Sequence, residues 1–305
     1  MKKTISILAL IALTACSGGV APDGKFFAGS SPEHGDDFVW ENSRICYRVA
    51  GRGSEKDFVS PGFDVFVKDP GTFIGRSLDT HKTRRCRAAD FSAGLGAGAS
   101  AVLFGGDIVL SPTNYRSAEV LYRSDDRMVF VLHYPKWKLG NDEIWLDKQI
   151  TLLADSDIFE VADYYNGYFD HITVAAGLDR TGSDVSGCGD DGCGGKMISV
   201  LRHTPEDCVL GGTMTFVLAA PDCDTVIVDG PGNHSVALKR VIPNEPFVYW
   251  TGSFLAEGYE QADVWLEQVV CAVSEAASRE ATTTDVSVQT PDTMPMMNGS
   301  GMNPQ

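Results

Sequence analysis

Apolar and polar residues alternate with a period of two along most of this chain. Phe38, Trp40, Ile45, Tyr47 and Val49 carry the first such run, with an irregularity at Asn42-Ser43. Phe63, Val65 and Val67 then point one way while Asp64, Phe66 and Lys68 point the other. Successive side chains of a strand face opposite sides, so this pattern predicts half-buried strands. Residues 100–104 and 107–111 flank Gly105-Gly106, a two-residue hairpin signal. Long strands are predicted over 115–123, 127–137, 142–153 and 158–166, separated by turns at Asp125-Asp126, Gly140-Asn141 and Asp155-Ser156. That is the pattern of an antiparallel meander. Shorter strands follow at 171–178, 197–202, 214–219, 225–228, 235–241 and 247–251. The period then changes. Val264, Trp265, Val269, Ala272, Val273 and Ala276 recur at helical spacing and predict one amphipathic helix over 261–279. The fold class is all-β: a large antiparallel β-sandwich with one C-terminal α-helix docked through Trp265.

The chain ends read differently. Lys2 and Lys3 precede an apolar stretch over 4–12 and the box Leu13-Thr14-Ala15-Cys16. This is the layout of a secretory signal peptide, too short for a permanent span. The box resembles that of bacterial lipoproteins, whose Cys takes a diacylglyceryl group, so Cys16 is the expected lipidation site. An ordinary signal peptide with Cys16 incidental is the alternative. Ser17 after the Cys favours the outer membrane under the enteric sorting rule. The expected organisation is a signal peptide over 1–15, a flexible tether over 16–35, the β-domain over 36–280 and a disordered tail over 281–305.

The formal net charge of -16 disfavours nucleic acid and anionic membrane surfaces as partners. Lys82, Arg84, Arg85 and Arg87 form the one cationic cluster. Seven cysteines remain after Cys16, which suits an oxidising compartment and leaves an odd thiol. Cys188 with Cys193 is the expected bridge, because glycines flank that short loop. Cys208 with Cys223 and Cys46 with Cys86 are further pairings, and Cys271 is the expected buried remainder. No second close cysteine pair completes a zinc site, and neither metal nor cofactor is expected.

No standard catalytic motif stands in the chain. Gly94 to Gly98 reads as a sharp loop rather than a phosphate cradle. His81 lies in a polar loop with Arg84 and Asp90, a set able to act as acid or base while a guanidinium holds a carboxylate. A solvated loop is the alternative. Trp40, Glu41, Asn42 and Arg44 form a polar-aromatic cluster that suits a sugar, or else a sandwich edge. His133-Tyr134 and Asp170-His171 read as structural pairs on strands. The acidic loop over 184–191 matches no defined calcium loop.

The run Asp37-Phe38-Val39-Trp40-Glu41-Asn42-Ser43-Arg44-Ile45-Cys46-Tyr47-Arg48-Val49 resembles the opening strand of the bacterial family called domain of unknown function 4861. Gly62 to Lys68 is similar to its next signature, and the 115–166 meander and the Asp263-Val264-Trp265 helix follow in matching order. The resemblance implies a secreted β-sandwich, often a lipoprotein, similar to the galactose-mutarotase-like and lyase supersandwiches. It implies a link to polysaccharide degradation, particularly of uronic-acid-containing glycans. By that analogy Trp40, Glu41, Arg44, Asp64, Lys68, His81 and Asp90 line a cleft. His81 is then the acid or base, Glu41 or Asp64 the second proton-transfer group, Arg44 or Arg84 the carboxylate partner and Trp40 the stacking ring. Lys82 to Cys86 departs from the family's loop and puts a two-histidine or metal mechanism in doubt. Lyase or hydrolase chemistry on an acidic oligosaccharide is the leading expectation. A non-catalytic glycan-binding lipoprotein and a structural lipoprotein with a protein partner are the alternatives.

Overall fold

The computed structural model describes residues 25–31, 34–56, 59–75, 87–89, 94–190, 196–204, 206, 208 and 210–286. The architecture is all-β and antiparallel, with one long helix. In chain order the strands are β1 (Phe27–Ser31), β2 (Asp37–Glu41), β3 (Cys46–Val49), β4 (Asp64–Phe66), β5 (Arg87–Ala89), β6 (Ala97–Phe104) and β7 (Asp107–Val109). The meander follows as β8 (Ser117–Arg123), β9 (Arg127–His133), β10 (Trp137–Leu139), β11 (Asp142–Leu153) and β12 (Ile158–Gly167). Then come β13 (Ile172–Asp179), β14 (Val185–Asp190), β15 (Lys196–His203), β16 (Thr213–Ala219), β17 (Thr225–Gly230), β18 (His234–Val241) and β19 (Pro246–Ala256). The helix α1 (Tyr259–Val286) closes the domain.

Three sheets form. One has the order β1-β2-β3-β4-β5 and a second the order β17-β18-β13-β6-β7. The large sheet runs β14-β15-β16-β19-β12-β11-β9-β8, with β10 added beside β11. Both smaller sheets pack on one face of the large sheet and share its apolar core. Trp40 of β2 stacks on Tyr47 of β3 and meets Phe63, Phe130 and Phe159 edge-on or tilted. Each such side chain, fully buried, contributes about 1.5–3 kcal/mol. The inner row of β11 is Ile144, Leu146, Lys148, Ile150 and Leu152, every second residue, as the alternation requires.

Three glycines have steric reasons. Gly105 and Gly106 both adopt positive φ (64° and 93°), which the tight β6–β7 hairpin demands. Gly98 has φ +111°, and a Cβ there would stand 2.2 Å from Thr251 Oγ1 of β19. The close approach of β6 to the large sheet therefore needs glycine.

The outer face of the large sheet is divided. α1 covers the β15, β16 and β19 half with Ala262, Trp265, Val269, Val270 and Val273. Trp265 stacks on Phe254 with centroids 5.4 Å apart and donates from Nε1 to Asp157, as its expected docking role requires. The other half, over β8, β9, β11 and β12, is left open by the described residues.

Several expectations change. Residues 27–31, read as tether from their small residues, form β1 against β2, and Phe26 and Phe27 are buried. The acidic segment 184–191 is largely the strand β14 rather than a loop, with Asp184 accepting from the His203 amide. Val264, Ala272 and Cys271 lie on the exposed side of α1. Cys188 is an exposed thiol, so the Cys188–Cys193 bridge does not form. Cys46 and Cys223 are thiols too, which removes both other proposed pairings. Cys208 is disulfide-bonded, to a partner outside the described residues. Among the described residues no helix is long and apolar enough to cross a membrane. Residues 281–286, read as tail, extend α1. Cys16, Cys86 and Cys193, with the signal segment and residues 287–305, lie outside the described residues.

Candidate functional site

The polar-aromatic cluster at the β2–β3 turn is a clamp between sheets. Asn42 is fully buried; its Oδ1 accepts from the Arg44 and Ile45 amides. Its Nδ2 donates to the Leu153 and Ser156 carbonyls, both at 2.8 Å, in the β11–β12 turn. Arg44 grips Asp157 of that turn through Nε at 2.8 Å and Nη2 at 3.0 Å. The Asp157 bond holds the Arg44 guanidinium above its usual range, against the opposing effect of burial.

The two described carboxylates of the expected cleft, Glu41 and Asp64, are likewise engaged. Glu41 is fully buried; Oε1 takes the Lys68 ammonium at 3.0 Å, and its oxygens accept the Ile74 and Gly75 amides. Lys68 also donates to the Asn42 and Thr72 carbonyls and lies 5.0 Å over the Phe73 ring. This saturated pair pins the loop after β4 and leaves no lone pair for proton transfer to a substrate. Asp64 pairs with Arg48, which also reaches Asp37 at 3.3 Å. Trp40 is 0% exposed and has no face on which to stack a sugar. His81, Arg84 and Asp90 lie outside the described residues.

Arg44 and the Lys68 stem do meet at a recess of about 160 Å³, with Asp157, Ser253, Phe254 and Met214. Its volume lies below the several hundred Å³, about 300 or more, of typical ligand pockets. Its one guanidinium is already neutralised by Asp157. The recess therefore does not form a carboxylate clamp.

A different constellation stands on the open face of the large sheet. Strand register sets Ser117, His133, Asp147, Tyr164 and Pro246 in one row across five strands. His133 Nδ1 lies 2.7 Å from Asp147 Oδ1, and the two side chains remain 38% and 35% exposed. Where Nδ1–H is donated to the carboxylate, Nε2 of an uncharged imidazole is left as an acceptor. Asn166, register partner of Trp145, donates from Nδ2 to Asp147 Oδ2 at 3.4 Å and to the Tyr164 carbonyl at 3.2 Å. Both partners are acceptors, so the amide orientation is fixed by chemistry. Asn166 Oδ1 is buried and has no partner. Trp145 lies on the same face, two residues before Asp147. Lys136 sits 4.8 Å over the Trp145 ring and pairs with Glu143 at 3.3 Å.

The arrangement can accept hydrogen bonds at Asp147 and His133 and offer aromatic surface at Trp145 and Tyr164. Among the described residues no group of three His, Cys, Asp or Glu side chains is placed to hold a metal ion. His234 of β18, buried, is structural: Nε2 accepts the Leu95 amide and Nδ1 faces the Pro231 carbonyl.

No curated protein matches the chain. Among solved structures it is similar to the GH36 alpha-galactosidase AgaB from Geobacillus stearothermophilus, at 9% identity and a TM-score of 0.37, over 75% of this chain. The chain spans 41% of that enzyme's length, and the likeness is too slight to bear on function. The 37–49 and 62–68 signatures lie outside the one stretch that a family model matches, whereas His133, Asp147 and Tyr164 lie inside it. That stretch, residues 92–207, from just before β6 to just after β15, matches the family described as domain of unknown function (DUF4861), the family the sequence resembles.

Proposed function

We propose that this chain is an exported, lipid-anchored protein whose β-domain binds carbohydrate on the open half of its large sheet. The observation that carries the reading is the half-exposed His133–Asp147 pair standing beside Trp145 and Tyr164. Sugar rings offer apolar faces that stack on aromatic side chains, while their hydroxyls need fixed polar partners. An open sheet face with both features in one row suits an extended oligosaccharide. The Lys2-Lys3 start, the apolar stretch and the Leu13-to-Cys16 box support export and the anchor.

Of the cations first assigned to a substrate carboxylate, Arg84 lies outside the described residues and the other two are engaged. Arg44 and Lys68 are neutralised within the clamp by Asp157 and Glu41. The proposed role is therefore glycan recognition that does not depend on Arg44 or Lys68.

Calorimetric titration of the full-length protein with a panel of neutral, amino and uronic oligosaccharides tests this reading. Binding is expected for at least one class, weakened roughly tenfold or more in Tyr164→Ala and in Trp145→Ala, a loss of at least about 1.4 kcal/mol. Binding that ignores both substitutions would refute the assignment to this face.

A further inference from the structure

The open face carries four carboxylates against three cations. Asp147, Glu143, Glu119 and Glu160 occupy it by strand register, with Lys138 opposite Glu143, Arg127 on β9 and Lys136 over Trp145. Lys136 is already paired with Glu143. The described partners of Asp147 are His133 and the Asn166 amide, neither of them a permanent cation. Asn166 is 6% exposed, and its orphan carbonyl oxygen, held beside the carboxylate by the Nδ2 bond, deepens the negative potential there. An unmatched buried acceptor next to a half-exposed carboxylate is costly unless a donor or cation arrives.

The face also displays what such a guest looks like. The Lys136 ammonium rests over the indole of Trp145 while a carboxylate neutralises it. Cation–π attraction and a charge-assisted hydrogen bond act together on that ammonium. Asp147, on the same face two residues along β11, repeats half of this arrangement with its cation missing.

Resting on the carbohydrate reading above, we propose that the His133–Asp147–Asn166 cluster recognises an amino sugar. The ammonium of a 2-amino-2-deoxyhexose unit donates to Asp147, and the ring lies against Trp145 or Tyr164. His133 Nε2 accepts a hydroxyl proton of the same or the adjoining unit. Acetylating the amine removes the charge and two of the three N–H donors; a uronate adds charge of the wrong sign.

The test compares glucosamine, N-acetylglucosamine and galacturonate hexamers on the full-length protein by calorimetry at low salt. The glucosamine hexamer is expected to bind roughly tenfold or more tightly than its acetylated form, and the uronate not measurably. Asp147→Asn is expected to erase that preference while keeping the residual affinity for the acetylated form. Asp125→Asn, an exposed acid at the β8–β9 turn, is expected to leave the preference intact, which separates a site from general attraction to an acidic protein. Equal affinities for amine and acetamide, tighter uronate binding, or a preference lost equally in Asp125→Asn would overturn the inference and leave the carbohydrate reading standing. Failure of every oligosaccharide to bind would take both down.

Discussion

Removing one partner of the buried Lys148–Asp163 pair should destabilise the domain about as much as the largest single losses of core volume. Both side chains are 0% exposed, on adjacent strands of the large sheet. Lys148 Nζ lies 2.6 and 2.7 Å from the two Asp163 oxygens, and Tyr249 donates to Asp163 at 3.0 Å. Burial pushes the Lys148 ammonium below its usual range, opposed by the attraction of Asp163. Lys148→Met leaves an unpaired carboxylate in the core, a cost of about 3–5 kcal/mol. That is a large part of the 5–15 kcal/mol, roughly, that holds most domains folded. Lys148→Met with Asp163→Asn keeps an acceptor for Tyr249 and removes both charges. It should regain about 2 kcal/mol or more relative to Lys148→Met. Urea midpoints of wild type, both single variants and the double variant give the cycle. Single variants costing under about 1 kcal/mol, with additive effects, would show that water reaches the pair and refute the reasoning.

Three further outcomes follow from the packing. Burial raises the phenols of Tyr47, Tyr115, Tyr134, Tyr165 and Tyr249 above the ordinary value of 10.0. The folded state thus holds protons that the unfolded chain releases, so stability is full below pH 10 and falls above it; a urea midpoint unchanged to pH 11.5, about the practical limit, contradicts this. Asn42→Ala strips four hydrogen bonds from the clamp between the β2–β3 and β11–β12 turns and should cost about 2–4 kcal/mol, read as a lower thermal midpoint; an unchanged midpoint shows the clamp to be dispensable. Cys188 and Cys271 should react with iodoacetamide in the native protein while Cys46 and Cys223 react only after denaturation. Burial also raises the Cys223 thiol and lowers its thiolate share; native labelling at Cys223, seen by peptide mass, would contradict its placement.

The strands were legible where one face is buried and the other is not. The β11 alternation gives both ends of that strand, and Gly105-Gly106 marks the β6–β7 hairpin, because periodicity and turn chemistry are local. β2 is buried along its whole length, so alternation there reports no direction, and Trp40 and Glu41 read as surface when they are core. The clamp partners of Asn42 and Arg44 lie more than a hundred residues away, at Leu153 to Asp157. Only the packing of two sheets brings them together. His133 reads as an isolated strand histidine because its partner, Asp147, is 14 positions on. A signal was nonetheless present: taking the outward rows of β9 and β11 with an antiparallel register sets His133 opposite Asp147. Lys148 and Asp163 likewise interrupt apolar rows and mark themselves as a buried pair. No local pattern marks β1, whose small residues resemble a linker until Phe26 and Phe27 find the core.

The most direct measurement of the central claim is hydrogen exchange by mass spectrometry with and without a saturating oligosaccharide drawn from the binding panel. Added protection is expected in peptides carrying His133, Trp145, Asp147 and Tyr164 on β9, β11 and β12, and none at α1. Protection confined to the Arg44 recess, or to segments away from the open sheet face, would contradict it.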